Sequence, residues 1–223
     1  MSGRLLPRAL GAVRRVTAHV PPTLLEVDGF VVFELPPLEP EPMPGVSGLA
    51  LGPDDLPRLA ACRSMQDPRE GVRLFSRRLA EGSLAFGLSE GDELLGYVWG
   101  RLGAYVPEDR DRYRMDLAPT DAYLFDAWLH PWARGRGLFE LLTATAQGGL
   151  AELGARRFLS TVALTNAVSL AVHARIGARP LETVGFLHLP GLTAHASHSP
   201  LGLRAQLGDR AFVSRATRAP ETP

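Results

Sequence analysis

The sequence predicts a mixed α/β domain with helices over a central β-sheet, and three observations indicate it. Between residues 46 and 190, short apolar runs rich in β-branched and aromatic residues alternate with segments of helical periodicity. Their order is β-α-α-β-β-β-α-β-α-β, which is typical of a sheet covered by helices. The 223 residues, 45% of them hydrophobic, suffice for one good core but not for two full domains.

Residues 1–45 are predicted to form an N-terminal extension. The first twenty residues carry four arginines and no acid, which we interpret as a short docked helix or a loose tail, with a transit peptide or membrane-surface helix as the alternative. Apolar runs on either side of Asp28-Gly29 predict a β-hairpin, and five prolines in residues 36–45 predict a semi-rigid linker. Whether the hairpin caps its own domain or pairs with a second subunit in a homodimer is left open.

The main domain is predicted to span residues 46–190. Its first half contains a strand, GVSGLAL, and a helix capped by Asp54 or Asp55. A second helix from Asp67-Pro68 to Gly82 follows, and then two antiparallel strands at about residues 83–88 and 93–102. The polar stretch PEDRDRYRMDLAPTD is predicted to be a charged loop, which is either merely solvated, as such runs usually are, or borders a binding site.

The second half of the domain begins with AYLFDAWL, whose nearly continuous apolar character predicts a buried central strand. LFELLTATAQGGLAELG is predicted to be a helix ending on Gly154, and FLSTVAL a strand. Residues 166–176 form a predicted helix with Asn166 near its cap, and PLETVGFLHL is the last clear strand. In the predicted C-terminal extension, residues 191–223, only RAFVSRA is expected to add an edge strand.

Charge and composition exclude several functions. The 24 basic and 24 acidic residues cancel, so the chain has no global field to attract nucleic acid or an anionic membrane, and neither is expected as a partner. All 24 basic residues are arginine. The absence of lysine excludes a P-loop lysine, a pyridoxal Schiff base and a lysine nucleophile.

A single cysteine, Cys62, rules out an intrachain disulfide framework and fits a reducing compartment. We expect it to be a buried small hydrophobic residue rather than a nucleophile. The chain shows no apolar run of about 18 residues and no signal peptide, so we expect a soluble protein in the cytoplasm.

The stretch HPWARGRGLFELL joins the predicted central strand to a helix through two glycines flanked by arginines. Free N–H groups of such a turn can converge on an anion, and the helix dipole adds to the attraction. Gly135 and Gly137 permit positive φ angles, while Arg134 and Arg136 supply donors suited to phosphate oxygens. The alternatives are a solvated turn and a dinucleotide fingerprint, but the latter lacks its third glycine.

Two motifs in order carry a family resemblance. AWLHPWARGRGLFELL resembles motif A of the GNAT superfamily of acyl-CoA-dependent N-acyltransferases, with Leu129-His130-Pro131 at the strand end and Arg134 to Phe139 as the R/Q-x-x-G-x-G/A signature. Asn166, Ser169, His173 and Gly177 keep every spacing of motif B, N-x-x-[AS]-x-x-x-Y-x-x-x-G-F. Phe139 replaces Gly or Ala, His173 the tyrosine, and Ala178 the phenylalanine.

The resemblance covers about residues 46–190 and implies a GNAT-like fold, with helices on both faces of a mixed, mostly antiparallel sheet. It implies acetyl-CoA as cosubstrate, an amine acceptor and no metal. The acetyl-CoA residues it implies are the strand end, the phosphate-holding turn and the start of the motif B helix, which lines the pantetheine arm: Leu129, Arg134, Gly135, Arg136, Gly137, Leu138, Asn166 and Ser169. A backbone N–H near Leu129 would stabilise the oxyanion.

Two residues are candidates for acid-base catalysis. Asp126 lies in an otherwise apolar strand and is predicted either to deprotonate the amine or to pair with a loop arginine. His173, at the tyrosine position of motif B, is predicted either to protonate the leaving thiolate or to be a packed helix residue. A metal site at HASH, residues 195–198, is not expected, because the segment lacks acidic or thiol neighbours.

The sequence thus predicts an acetyl-CoA-dependent N-acetyltransferase that transfers directly to an amine. The alternative is a non-catalytic acyl-CoA sensor or interaction module of the same fold. Neither the acceptor nor the acyl chain length follows from the sequence, because acceptor pockets are built from loops that share little between related folds.

Overall fold

The computed structural model describes residues 26–62, 67–103, 113–189, 192–199, 202–208 and 212–214. The chain forms two compact units. The first unit comprises Met1–Pro36, Ala104–Ala118 and Leu159–Pro223, and the second comprises Pro37–Gly103 and Pro119–Phe158. The basic segment predicted in residues 1–20 lies outside the described residues.

The second unit contains an antiparallel sheet in the order β2-β3-β4-β6. Its strands are β2 (Val46–Leu51), β3 (Leu84–Glu90), β4 (Glu93–Leu102) and β6 (Asp121–Leu129). Its helices are α1 (Leu56–Cys62), α2 (Pro68–Ala80) and α3 (Leu138–Glu152). A single 3₁₀ turn, Pro53–Asp55, precedes α1, and Asp67 caps α2 by accepting the Arg69 N–H at 2.8 Å.

Helices cover both faces of this sheet. Helices α1 and α2 place Leu59 and Phe75 against Tyr97 and Trp99 in one buried cluster. Helix α3 packs on the opposite face, where Gly100 leaves room for Leu150. A Cβ on Gly100 would come within 2.7 Å of a Leu150 methyl group, so a larger residue here would force the Leu150 side chain to shift. The predicted mixed α/β class with helices on both faces is therefore confirmed.

The first unit contains strands in the order β7-β1-β8-β9-β10. They are β1 (Glu26–Leu35), β7 (Arg157–Ala163), β8 (Arg179–Leu189), β9 (Leu192–Ser199) and β10 (Gly202–Leu207). Helix α4 (Ala167–Arg175) follows β7, and the short strands β5 (Tyr113–Arg114) and β11 (Phe212–Val213) form a separate parallel pair.

The hairpin predicted at Asp28-Gly29 is wrong. Residues Glu26–Leu35 form one continuous strand that pairs antiparallel with β8, and Gly29 sits opposite Gly185 within this ladder. A two-residue hairpin turn needs positive φ angles, and neither Asp28 nor Gly29 has one. The long partner strand β8 supplies the backbone hydrogen bonds that a hairpin would otherwise provide.

The prediction for the C-terminal segment is wrong in its extent. Strands β9 and β10 form beyond residue 190, and β11 pairs with β5 instead of adding to the edge of the sheet. The buried face of β9 is polar throughout, so hydrophobic side chains do not mark its buried positions in the sequence. Its buried side chains are Thr193, His195, Ser197 and Ser199. None of the described helices has the length and apolar character needed to span a bilayer.

Candidate functional site

The turn between β6 and α3 has the conformation that an anion cradle requires. Gly135 and Gly137 adopt φ angles of 80° and 79°, in the left-handed region that favours glycine. Leu138, the first residue of α3, is buried in the core with 1% of its surface exposed, and it fixes the start of the helix. Residues 134–137 are all exposed, and a Cβ at either glycine would meet no atom within 4 Å. The backbone of the turn is therefore open on its outer side.

Helix α3 starts without a side-chain cap, because its N-cap residue is Gly137. First-turn N–H groups of a helix have no partner within the helix, and the helix dipole concentrates positive charge at this end. Such a start accommodates a phosphate or pyrophosphate. Phe139, where the resembled family has Gly or Ala, is half-buried and does not displace the start of the helix.

The two arginines of the turn have different partners. Arg134 donates from Nε to the carbonyl of Leu129 at 3.1 Å and so ties the turn to the end of β6. Arg136 forms a two-pronged ion pair with Glu90 at the end of β3, with Nη1 to Oε2 at 3.1 Å and Nη2 to Oε1 at 3.0 Å. The hydrogen bonds from Arg136 hold the pKa of Glu90 below its usual value.

Asp126 lies at a β-bulge. The register between β4 and β6 shifts between Tyr97 and Trp99, which leaves one extra residue on β6. At this point Asp126 has a φ of 47°, the only positive φ of a non-glycine residue in the described part of the chain. A non-glycine residue whose backbone is held in the left-handed region by the surrounding structure is typical of functional positions.

The Asp126 carboxylate pairs with an arginine that the sequence analysis missed. Arg78 Nη1 lies 2.6 Å from Asp126 Oδ2, and the Arg78 side chain is only 6% exposed. Its guanidinium also lies over three aromatic rings at 5.2 to 5.5 Å, those of Phe75, Trp99 and Phe125. Asp126 was predicted either to act as a base or to pair with a loop arginine. In the structure it forms an ion pair, and its partner is an arginine of helix α2 rather than of a loop.

A signal for Arg78 was present in the sequence. It follows Phe75 by three residues, so it shares the inward face of α2, where only apolar side chains are expected. A charged residue on such a face needs a buried partner, and Asp126 in the apolar central strand was the matching anion.

His173 is buried on α4, with 4% of its surface exposed. Its Nδ1 lies 2.8 Å from the carbonyl of Ser169, and its Nε2 lies 3.0 Å from Ser160 Oγ. Because a carbonyl only accepts, we place the proton on Nδ1, and Nε2 then accepts from the Ser160 hydroxyl. Burial lowers the pKa of His173, partly offset by the hydrogen bond to Ser169. The imidazole is therefore neutral near pH 7.

The motif B residues form a chain of hydrogen bonds. Asn166 caps α4 by accepting the Ser169 N–H at 3.0 Å, and the Ser169 carbonyl accepts from His173. Asn166 is exposed and Ser169 half-buried. The structure thus brings Asn166, Ser169 and His173 together in the first unit, whereas Asp126 and the Leu129 to Leu138 segment belong to the second. Their predicted roles toward acetyl-CoA remain predictions.

No group of three or more His, Cys, Asp or Glu side chains that could hold a metal ion is found within the described ranges. Cys62 is buried, with its Sγ 3.8 Å from the carbonyl of Leu94. Burial raises the pKa of its thiol to about 11, a shift that the charge of Arg58 partly opposes. A thiol with this pKa is uncharged near neutral pH and is a poor nucleophile.

Comparisons with known proteins agree with this geometry. Residues 56–178, more than half of the chain, match the family described as "Acetyltransferase (GNAT) family". No curated protein matches the chain in sequence.

Solved structures show the same fold at low sequence identity. A protein from Novosphingobium aromaticivorans assigned to the GNAT family is 20% identical over 74% of this chain and 66% of its own, with a TM-score of 0.51. A tandem GNAT protein of the clavulanic acid biosynthesis pathway is 19% identical over 74% of this chain and 55% of its own, with a TM-score of 0.54. The chain thus spans less than two thirds of the length of either protein.

Proposed function

The chain belongs to the GNAT acetyltransferase family, and on that premise we propose that it transfers an acetyl group from acetyl-CoA to the nitrogen of an amine. The observation that carries the proposal is the open turn at Arg134 to Leu138. These five residues contain two glycines with left-handed backbone, a helix start without a side-chain cap, and the forked guanidinium of Arg136. The free backbone N–H groups and the guanidinium are the hydrogen-bond donors that a pyrophosphate needs.

In the proposed reaction the amine nitrogen attacks the thioester carbonyl carbon, a C–N bond forms, and the C–S bond breaks. The amine loses a proton and the CoA thiolate gains one. We assign acceptance of the amine proton to Asp126, acting directly or through water, and stabilisation of the oxyanion to a backbone N–H near Leu129.

The proton for the thiolate is assigned to His173, and its hydrogen bonds define the route. Neutral His173 holds its proton on Nδ1, bonded to Ser169, while Nε2 accepts from Ser160. Nε2 of the neutral ring carries no proton, so His173 would first take up a proton there. Nε2–H would then donate to Ser160 Oγ, and the Ser160 hydroxyl would pass its own proton to the thiolate.

A non-catalytic acyl-CoA-binding module is the second candidate, and one observation favours it. Both acid-base candidates are engaged within the protein, Asp126 by Arg78 and His173 by Ser160 and Ser169. A module of this kind would bind acetyl-CoA through the same turn and would release no CoA.

Release of CoA from acetyl-CoA in the presence of a panel of amines separates these functions. The panel contains a polyamine, an arylamine, a peptide with a free N-terminus and a lysine peptide, and a thiol reagent detects free CoA. The buried Cys62 should add little background. Amine-dependent release supports the transferase, binding of acetyl-CoA with no release on any amine supports the module, and no binding contradicts both. The cytoplasmic location remains a prediction from the sequence.

A further inference from the structure

The Glu90–Arg136 ion pair places a carboxylate on the arginine of the candidate phosphate turn. Both η nitrogens of Arg136 are engaged, at 3.1 and 3.0 Å, by the two oxygens of Glu90. A carboxylate and a phosphate present two oxygens to a guanidinium in the same forked geometry. Glu90 therefore occupies the donor positions that an incoming phosphate would use.

This ion pair can open at low cost. The side chains of Arg136 and Glu90 are 35% and 40% exposed, so water and salt screen their attraction. Exposed pairs of this kind contribute little to stability. Glu90 ends β3 at its turn into β4, where it faces Glu93 across the hairpin, and this position is set by the strands rather than by Arg136. The Glu90 backbone consequently stays beside the turn when Arg136 is engaged elsewhere, and its charge stays within reach of the turn.

We propose that Glu90 is an affinity-determining residue, an internal anion that acyl-CoA must displace from Arg136. The inference rests on the proposed function. Acyl-CoA loses affinity in two ways, because its phosphates replace an existing ion pair and then lie near the Glu90 charge. A ligand with several phosphate charges outcompetes one carboxylate, whereas a single monoanion gains nothing by the exchange. Glu90 thus makes the turn selective for polyanionic ligands.

The test is the Kd for acetyl-CoA of Glu90→Gln, measured by calorimetry at constant ionic strength. We expect Glu90→Gln to bind about twofold to fivefold more tightly than the wild type, the range that corresponds to an exposed ion pair. Glu93→Gln is the matched control, because it removes the same charge from the same exposed hairpin and has an ordinary surface position. It should change the Kd by much less.

A second background shows whether the effect runs through the arginine. In Arg136→Gln, addition of Glu90→Gln should improve binding by less than it does in the wild type, because the ion pair is already gone and only repulsion by the Glu90 charge remains to be relieved. Equal gains in affinity from Glu90→Gln in both backgrounds would overturn the proposal that phosphates displace Glu90 from Arg136. The gain would then come only from removing a negative charge near the ligand. Binding by Glu90→Gln that equals or falls below that of the wild type would also overturn it, because Glu90 would then be holding Arg136 in place.

The wild-type titration separates this inference from the function on which it rests. Wild-type binding without a gain in Glu90→Gln refutes only the role of Glu90. Absence of acetyl-CoA binding in the folded wild-type protein refutes the proposed function and the role of Glu90 together.

Discussion

The buried Arg78–Asp126 pair gives a quantitative prediction about stability. In Arg78→Met the Asp126 carboxylate loses a partner at 2.6 Å while 17% of its side chain remains exposed. Loss of one partner of a buried pair costs about 3–5 kcal/mol, and the residual exposure places this case near about 3 kcal/mol. For a chain of this size, that cost lowers the melting temperature by about 6–12 °C.

Tryptophan fluorescence during urea unfolding is the appropriate assay. All three tryptophans, Trp99, Trp128 and Trp132, belong to the second unit, as does the ion pair. Arg77→Met is the control, because Arg77 lies one residue away and pairs with Glu81 at 3.9 Å with both side chains more than half exposed. Its cost should stay below about 0.5 kcal/mol.

The double variant Arg78→Met with Asp126→Asn tests whether the unpaired Asp126 charge causes the loss. Asparagine tolerates a positive φ and carries no charge, so it suits the bulge without an ion partner. We expect the double variant to recover at least about 1 kcal/mol relative to Arg78→Met alone. If Arg78→Met costs no more than Arg77→Met, the pair does not stabilise the bulge and the reasoning fails.

Three further predictions concern single residues. Gly137→Ala should cost about 1 kcal/mol of stability through backbone strain at φ 79°. Gly148→Ala lies inside α3 with open space around it and should stabilise the protein by about 0.5–1 kcal/mol. Equal melting temperatures for the two variants would contradict this prediction. Burial lowers the pKa of His173 in the folded protein, so as the pH falls below about 6.5 this side chain is protonated in the unfolded chain before it is protonated in the folded protein. The folded protein therefore loses stability as the pH falls through that range. His173→Asn should therefore lose less melting temperature than the wild type between about pH 7 and about pH 5.5, and an equal loss would show that His173 does not titrate in this way. Cys62, with its pKa raised to about 11, should react with a thiol reagent at about pH 8 only after denaturation, so rapid labelling of the folded protein would disprove its burial.

The elements that were predicted correctly are those with a local signal. Helix α2 has its cap and proline at Asp67-Pro68, and α4 has Asn166 at its cap, as the sequence indicated. The hairpin prediction failed because Asp28-Gly29 favours a turn only where a longer strand does not pair with this segment. The longer strand here is β8, which is distant in sequence. Strand β9 was missed because its buried face is polar, so no apolar alternation marks it.

The candidate site shows the same limit. The glycines of the turn were predictable because positive φ angles are a local property of Gly135 and Gly137. The partners of its charged residues were not, since Arg78 lies 48 positions from Asp126 and Glu90 lies 46 positions from Arg136. Which ion pairs form depends on strand register and helix packing, and neither follows from charge patterns in one sequence.

The central claim is that the Arg134 to Leu138 turn binds the pyrophosphate of an acyl-CoA, and the Kd for acetyl-CoA of Gly137→Asp tests it most directly. Gly82→Asp is the control, because Gly82 is also exposed, has a φ of 85°, and would leave an added Cβ with no atom within 4 Å. We predict that calorimetry gives at least about tenfold weaker binding for Gly137→Asp, from the charge and the side chain placed in the cradle, and an unchanged Kd for Gly82→Asp. Equal binding by the wild type and both variants would contradict the claim.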